Sequence, residues 1–134
     1  DLGCGAGPIA MTMARRSPES SVWAVDVNER ARQLTRDNAS ALSLTNVTVA
    51  SPDEVPDDVV FDVIWSNPPI KVGKQELHDL LNRWLARLSP DGYAVLVVNK
   101  NLGSDSLAKW LTELGWTVKR ISSRQGFRIL TVKR

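Results

Sequence analysis

The chain reads as an α/β protein built on a doubly wound, mostly parallel sheet that ends in an antiparallel edge. Three observations predict this. Short apolar runs alternate with amphipathic helical segments from Pro8 to Leu114, the pattern of successive β-α units. The segment Tyr93-Ala94-Val95-Leu96-Val97-Val98 is almost continuously apolar, as a strand covered on both faces must be. Two alternating segments near Trp116–Ile121 and Phe127–Val132 are joined through Gly126, which makes them a hairpin rather than another crossover.

Each element has a local reason. The glycine-rich turn Asp1-Leu2-Gly3-Cys4-Gly5-Ala6-Gly7 opens the chain. Pro8 starts a helix through about Arg16, where its missing N–H costs nothing because that donor is an orphan anyway. Val22–Val25 is a short strand ending at Asp26. Asn28 is an N-cap for a helix whose apolar positions Ala31, Leu34, Ala41 and Leu42 follow the helical period. Val47–Val49 and Phe61–Trp65 are strands. Leu77, Leu80, Leu81, Trp84, Leu85 and Leu88 form an amphipathic helix, after which Pro90-Asp91-Gly92 turns the chain into its longest apolar strand. Ser104 or Asp105 caps a helix carrying Leu107, Trp110, Leu111 and Leu114 and closed by Gly115. Trp23, Trp65, Trp84 and Trp110 read as core, and His78 as a surface group. A buried central strand is expected before Asp1, so residues 1–134 read as a single domain truncated on its N-terminal side.

Composition excludes several classes. The 43% hydrophobic content is that of an ordinary globular protein, and no stretch approaches the ~20 apolar residues that span a bilayer. A lone cysteine, Cys4, forms no internal disulfide, which fits a reducing, cytoplasmic setting. One histidine and one cysteine do not supply a zinc ligand set, so no metal is expected. The net charge of +2 is mild, but Lys119, Arg120, Arg124, Arg128, Lys133 and Arg134 follow one another without an acidic residue. That terminus either meets phosphates or keeps an edge strand from aggregating.

The chemistry is concentrated at three places. Pro68 and Pro69 cannot extend a central strand, because each lacks an N–H and fixes φ. The strand ending at Trp65 therefore stops there, leaving the Asn67 amide and the Pro68 carbonyl at its carboxyl end, where open α/β sheets bind ligands. Two such acceptors side by side make a receptor for an –NH₂ group. The spacing Asp1-x-Gly3-x-Gly5-x-Gly7 departs from a dinucleotide fingerprint, whose last glycine would fall on Pro8. It suits a zwitterionic amino-acid end, with Asp1 receiving the ammonium. Asp26, one β-α unit later, is placed to accept both hydroxyls of a ribose. Asn28 assists or simply caps, and Asp53, with Ser51 nearby, is a candidate acceptor for an adenine amino group. Together these features predict methyl transfer from S-adenosylmethionine to an amino nitrogen.

The motifs Asp1-Leu2-Gly3-Cys4-Gly5-Ala6-Gly7, Asp26-Val27-Asn28, Phe61–Ile70 and Gly92–Lys100 resemble those of class I S-adenosylmethionine-dependent methyltransferases. The nearer resemblance is to the small-domain methyltransferase family, which includes guanine-N2 methyltransferases of small-subunit ribosomal RNA. It implies a Rossmann-like sheet ordered 3-2-1-4-5-7-6 with an antiparallel last strand, the first strand being missing here. It also implies a cofactor site at Asp1, Gly3, Cys4, Gly5, Gly7, Asp26, Val27, Asn28, Asp53 and Asn67, with Asn67, Pro68, Pro69 and Ile70 at the reacting amine. The implied partner is ribosomal RNA or the small ribosomal subunit; oligomeric state is not implied. Ile70 departs from the pattern, because many relatives carry an aromatic ring there. This favours guanine over the adenine-N6 and glutamine-amide branches. Lys71, Lys74 and Lys100 are possible substrate contacts. A catalytically silent binding module is the alternative of another class, and the chain's retention of both motifs argues against it.

Overall fold

A computed structural model describes residues 1–68, 73–99 and 103–134, with Ser123 and Arg124 described by their backbone alone. The chain divides into two compact units, Asp1–Asp58 and Val59–Arg134. Among the described residues no helix is long and apolar enough to cross a membrane.

The first unit contains α1 (Pro8–Arg16), β1 (Val22–Val25), α2 (Glu29–Ala41), β2 (Val47–Ala50) and a short 3₁₀ turn, Pro52–Glu54. Pro8 stands at the start of α1, as its lost donor allows, and the Asn28 side chain accepts the Ala31 N–H (3.0 Å) to cap α2. β1 and β2 pair in parallel from Val22↔Val47 to Val25↔Ala50. In a parallel strand successive residues aim their backbone groups at opposite edges. Val22 and Asp26 donate toward β2, whereas Val25 and the Trp23 carbonyl bond the backbone of residues 1–4. The glycine turn thus begins in register with β1, through a parallel bridge between Leu2 and Val25. Ala10, Met11 and Ala14 pack against Val22, Ala24, Ala39 and Cys4. Alanines on both helices and on the strand give this core little volume, so its one long buried side chain, Met11, matters. Truncating buried Met11 to alanine costs about 2–5 kcal/mol in such a setting.

The second unit contains β3 (Phe61–Ser66), α3 (Lys74–Leu85), β4 (Leu88–Asn99), α4 (Ser104–Glu113), β5 (Thr117–Arg124) and β6 (Phe127–Lys133). Its sheet runs β3-β4-β6-β5, with β3 and β4 parallel and β6 antiparallel to both neighbours. The two hydrogen-bonded runs are the 3-2 and 4-5-7-6 segments of the expected order. Leu81, Leu85, Leu96, Leu111 and Val132 are almost wholly enclosed. α4 ends in a Schellman arrangement: Gly115 has φ +99°, its N–H bonds the Thr112 carbonyl, and that of Trp116 bonds Leu111.

Several expectations are corrected. The helical period of α2 predicts a buried stripe of Ala31, Leu34, Ala41 and Leu42, yet Ala31 is half-buried, the other three are exposed, and the buried residues are Thr35 and Ala39. α3 ends at Leu85, and Leu88 already belongs to β4. Pro90-Asp91-Gly92 is a bulge within β4, since Phe61 pairs with Leu88 and Val63 with Tyr93. α4 is entered through Gly103, with φ +88°, leaving Ser104 inside the helix. His78 is half-buried and stacks on Trp110, with ring centroids 3.6 Å apart. Trp110 is itself only half-buried.

Candidate active site

In the first unit the glycine turn leaves the edge of β1 and enters α1. Gly3, Gly5 and Gly7 all have positive φ, at 71°, 56° and 88°, a region that costs any residue with a β-carbon. At Gly7 space forbids a side chain as well, because a β-carbon would lie 2.7 Å from Thr35 Cγ2. At Gly5 the same β-carbon would meet nothing within 4 Å among the described residues. The turn is therefore packed on one side and open on the other.

Two carboxylates organise it. Asp1 Oδ2 accepts the Ala10 N–H at 3.1 Å, satisfying one of the orphan donors of α1's first turn. Asp26 lies at the carboxyl end of β1; its Oδ2 accepts the Gly5 N–H (3.0 Å) and its Oδ1 the Asn28 N–H (2.9 Å). A carboxylate has about four acceptor positions, so Asp26 retains capacity for two hydroxyl donors while it holds the turn. Val27, next to it, is 81% exposed, an apolar side chain left uncovered beside a polar site. Open space at Gly5, spare acceptor capacity at Asp26 and a bare valine fit a bound nucleoside with an amino-acid end, so these residues would hold S-adenosylmethionine.

The rest of this unit's predicted set divides. Cys4 is buried, its Sγ 3.5 Å from Thr35 Oγ1; burial pushes the thiol above its ordinary range, partly offset by that hydroxyl. Cys4 is thus a packing residue of the turn. Asn28 has its side-chain oxygen engaged as a helix cap. Asp53 is exposed in the 3₁₀ turn. Its neighbour Glu54 accepts the Ser51 N–H at 2.8 Å, which holds the Glu54 carboxyl below the usual range.

In the second unit β3 ends at Ser66, which is buried, followed by exposed Asn67 and buried Pro68. The strand stops where the first proline removes a ladder donor. Pro69, Ile70, Lys71 and Lys100 lie outside the described residues. Three of the six basic residues of the terminus are engaged within this unit. Arg128 pairs with Asp105, Arg134 Nη2 donates to the Ala86 and Leu88 carbonyls (3.1 and 2.9 Å) over the Trp116 ring, and Lys133 lies over Tyr93.

Sequence reasoning missed Thr35 and Asn38. Thr35 Oγ1 donates to the Gly5 carbonyl (2.8 Å) and approaches the Ala31 carbonyl (3.0 Å), and Asn38 Nδ2 donates to the Ala6 carbonyl (2.8 Å). The available signal was the spacing of Thr35 midway between Ala31 and Ala39, a stripe of small residues on which a tight turn can rest.

Residues 1–131 match the family model described as methyltransferase small domain. The chain is 32% identical to the uncharacterized protein YbxB of Bacillus subtilis, over all of this chain and 68% of that protein. It is 31% identical to ribosomal RNA small subunit methyltransferase C of Shewanella amazonensis, over 85% of this chain and 35% of that protein. It is 34% identical to release factor glutamine methyltransferase of Flavobacterium psychrophilum, over 58% of this chain and 29% of that protein. The chain therefore spans about a third of the length of the two methyltransferases it resembles in sequence. Among solved structures, a methyltransferase from Pyrococcus furiosus superposes with a TM-score of 0.79 at 25% identity, over 98% of this chain and 72% of that one.

Proposed function

From a chain that belongs to the methyltransferase small domain family and takes its methyl group from S-adenosylmethionine, we propose that the whole protein methylates the exocyclic N2 amine of guanine in small-subunit ribosomal RNA. The observation that supports a nitrogen target is the end of β3. There a strand stops at Asn67-Pro68, with the asparagine exposed at the carboxyl end of the sheet.

S-adenosylmethionine supplies an electrophilic methyl group on a sulfonium sulfur. The residues of this chain supply alignment. The guanine amine is a weak nucleophile because its lone pair is delocalised into the ring. Asn67 Oδ1 and the Pro68 carbonyl accept its two N–H bonds, which draws the nitrogen toward a pyramidal shape and frees the lone pair for in-line attack. The same two dipoles stabilise the positive charge that grows on nitrogen. As the C–N bond forms and the S–C bond breaks, nitrogen becomes cationic and strongly acidic. Water takes the proton, and no side-chain base is required. Asp1 and the turn from Gly3 to Gly7 hold the methionine end, and Asp26 holds the ribose.

Guanine in ribosomal RNA is supported by the likeness to ribosomal RNA small subunit methyltransferase C and by Ile70 where other branches carry an aromatic residue. A second reading, a protein glutamine amide, is supported by the shorter match to release factor glutamine methyltransferase. Transfer of a tritiated methyl group to undermethylated small ribosomal subunits, naked ribosomal RNA and release factor separates them. The guanine reading expects label in RNA, recovered as N2-methylguanosine. Label in release factor alone would overturn it.

A further inference from the structure

The turn that would hold the methionine end of the cofactor is itself held from behind by one face of α2. Thr35 is fully buried, and its hydroxyl donates to the Gly5 carbonyl at 2.8 Å. Asn38, one helical turn further along, donates to the Ala6 carbonyl at 2.8 Å. The Cys4 thiol completes the network 3.5 Å from Thr35 Oγ1. A trans peptide is planar, with its carbonyl and N–H pointing in opposite directions. Drawing the Gly5 carbonyl toward α2 therefore aims the Ala6 N–H away from α2, and a β-carbon at Gly5 would meet nothing within 4 Å among the described residues.

We propose that Thr35 and Asn38 are positioning residues for cofactor binding. They fix the peptide planes of the turn so that the Ala6 N–H is presented to the carboxylate of the methionine end. The inference rests on the reading of the turn as a cofactor cradle. Neither side chain touches the ligand; both act through the backbone they hold. Thr35 has a second constraint, because it also fills the space that a side chain at position 7 would need. A valine there keeps the shape and loses the hydrogen bond.

The test is calorimetric affinity of the full-length protein for two ligands. One is S-adenosylmethionine; the other is 5′-methylthioadenosine, which keeps the nucleoside and lacks the amino-acid end. Thr35→Val should weaken S-adenosylmethionine about tenfold, the effect of one hydrogen bond, and methylthioadenosine less than twofold. Turnover at saturating cofactor should stay within twofold, and Thr35→Ser should restore affinity. Asn38→Ala, at an exposed position, should act in the same direction and serves if the valine variant does not fold. Unchanged affinity in both variants, or an equal loss for both ligands, would overturn the inference while leaving the cradle in place. Failure of the unaltered protein to bind S-adenosylmethionine would overturn the cradle and the inference with it.

Discussion

Glycines 5 and 7 carry the same backbone sign for different reasons, and substitution separates them. Both have positive φ, but alanine at position 7 also drives its β-carbon to 2.7 Å from Thr35 Cγ2, on a side chain locked by its own hydrogen bonds. Gly7→Ala should therefore cost about 2–4 kcal/mol of stability, strain and overpacking combined. At Gly5 the space is open, and Gly5→Ala should cost only about 1–2 kcal/mol for the left-handed conformation. Its main effect should be on cofactor affinity, because the methyl group occupies the side where the ligand would lie. Urea denaturation and cofactor titration of both variants check this. A Gly5→Ala variant that binds the cofactor normally would contradict the cradle's orientation.

Elements whose ends are written in local chemistry were legible in the sequence. Pro8 opens α1, Asn28 caps α2 and Gly115 closes α4, each through a backbone need that one residue type meets. Faces were harder. On α2 the apolar period favours Leu34 and Leu42, yet the helix turns Thr35 and Ala39 inward. Thr35 satisfies its hydroxyl on the Gly5 carbonyl, which only the fold brings near, and on the Ala31 carbonyl one turn back in α2, so a polar residue fits the core while leucines stay out. The start of α4 has a related cause. Ser104 looks like a cap, but Gly103 takes that position with φ +88°, and the Ser104 hydroxyl is buried without a hydrogen-bond partner among the described residues. A true cap replaced by alanine loses about 0.5–2 kcal/mol. Ser104→Ala should instead be neutral or stabilising by up to about 1 kcal/mol, because it removes an unsatisfied buried polar group. Thermal denaturation decides, and a clear loss of stability would restore Ser104 as a capping group.

At the scale of the whole molecule, the sheet order followed from the family resemblance and appears as two runs, one in each unit. The glycine turn and the acidic residues that brace it were readable because they are constrained by backbone geometry and by charge at a strand end. The supporting layer on α2 was not, since its partners lie 30 and 32 residues away in sequence. The proposed function divides the labour: the glycine turn and Asp26 would bind the cofactor, and Asn67 with Pro68 would activate the amine. Replacing Asn67 by alanine in the full-length protein, with cofactor affinity measured by calorimetry and methyl transfer by single-turnover kinetics, tests that division most directly. Cofactor affinity should stay within about threefold while the transfer rate falls about 10²–10³-fold, as for loss of one preorganised acceptor at a developing charge. Transfer at the unaltered rate in Asn67→Ala would contradict the claim.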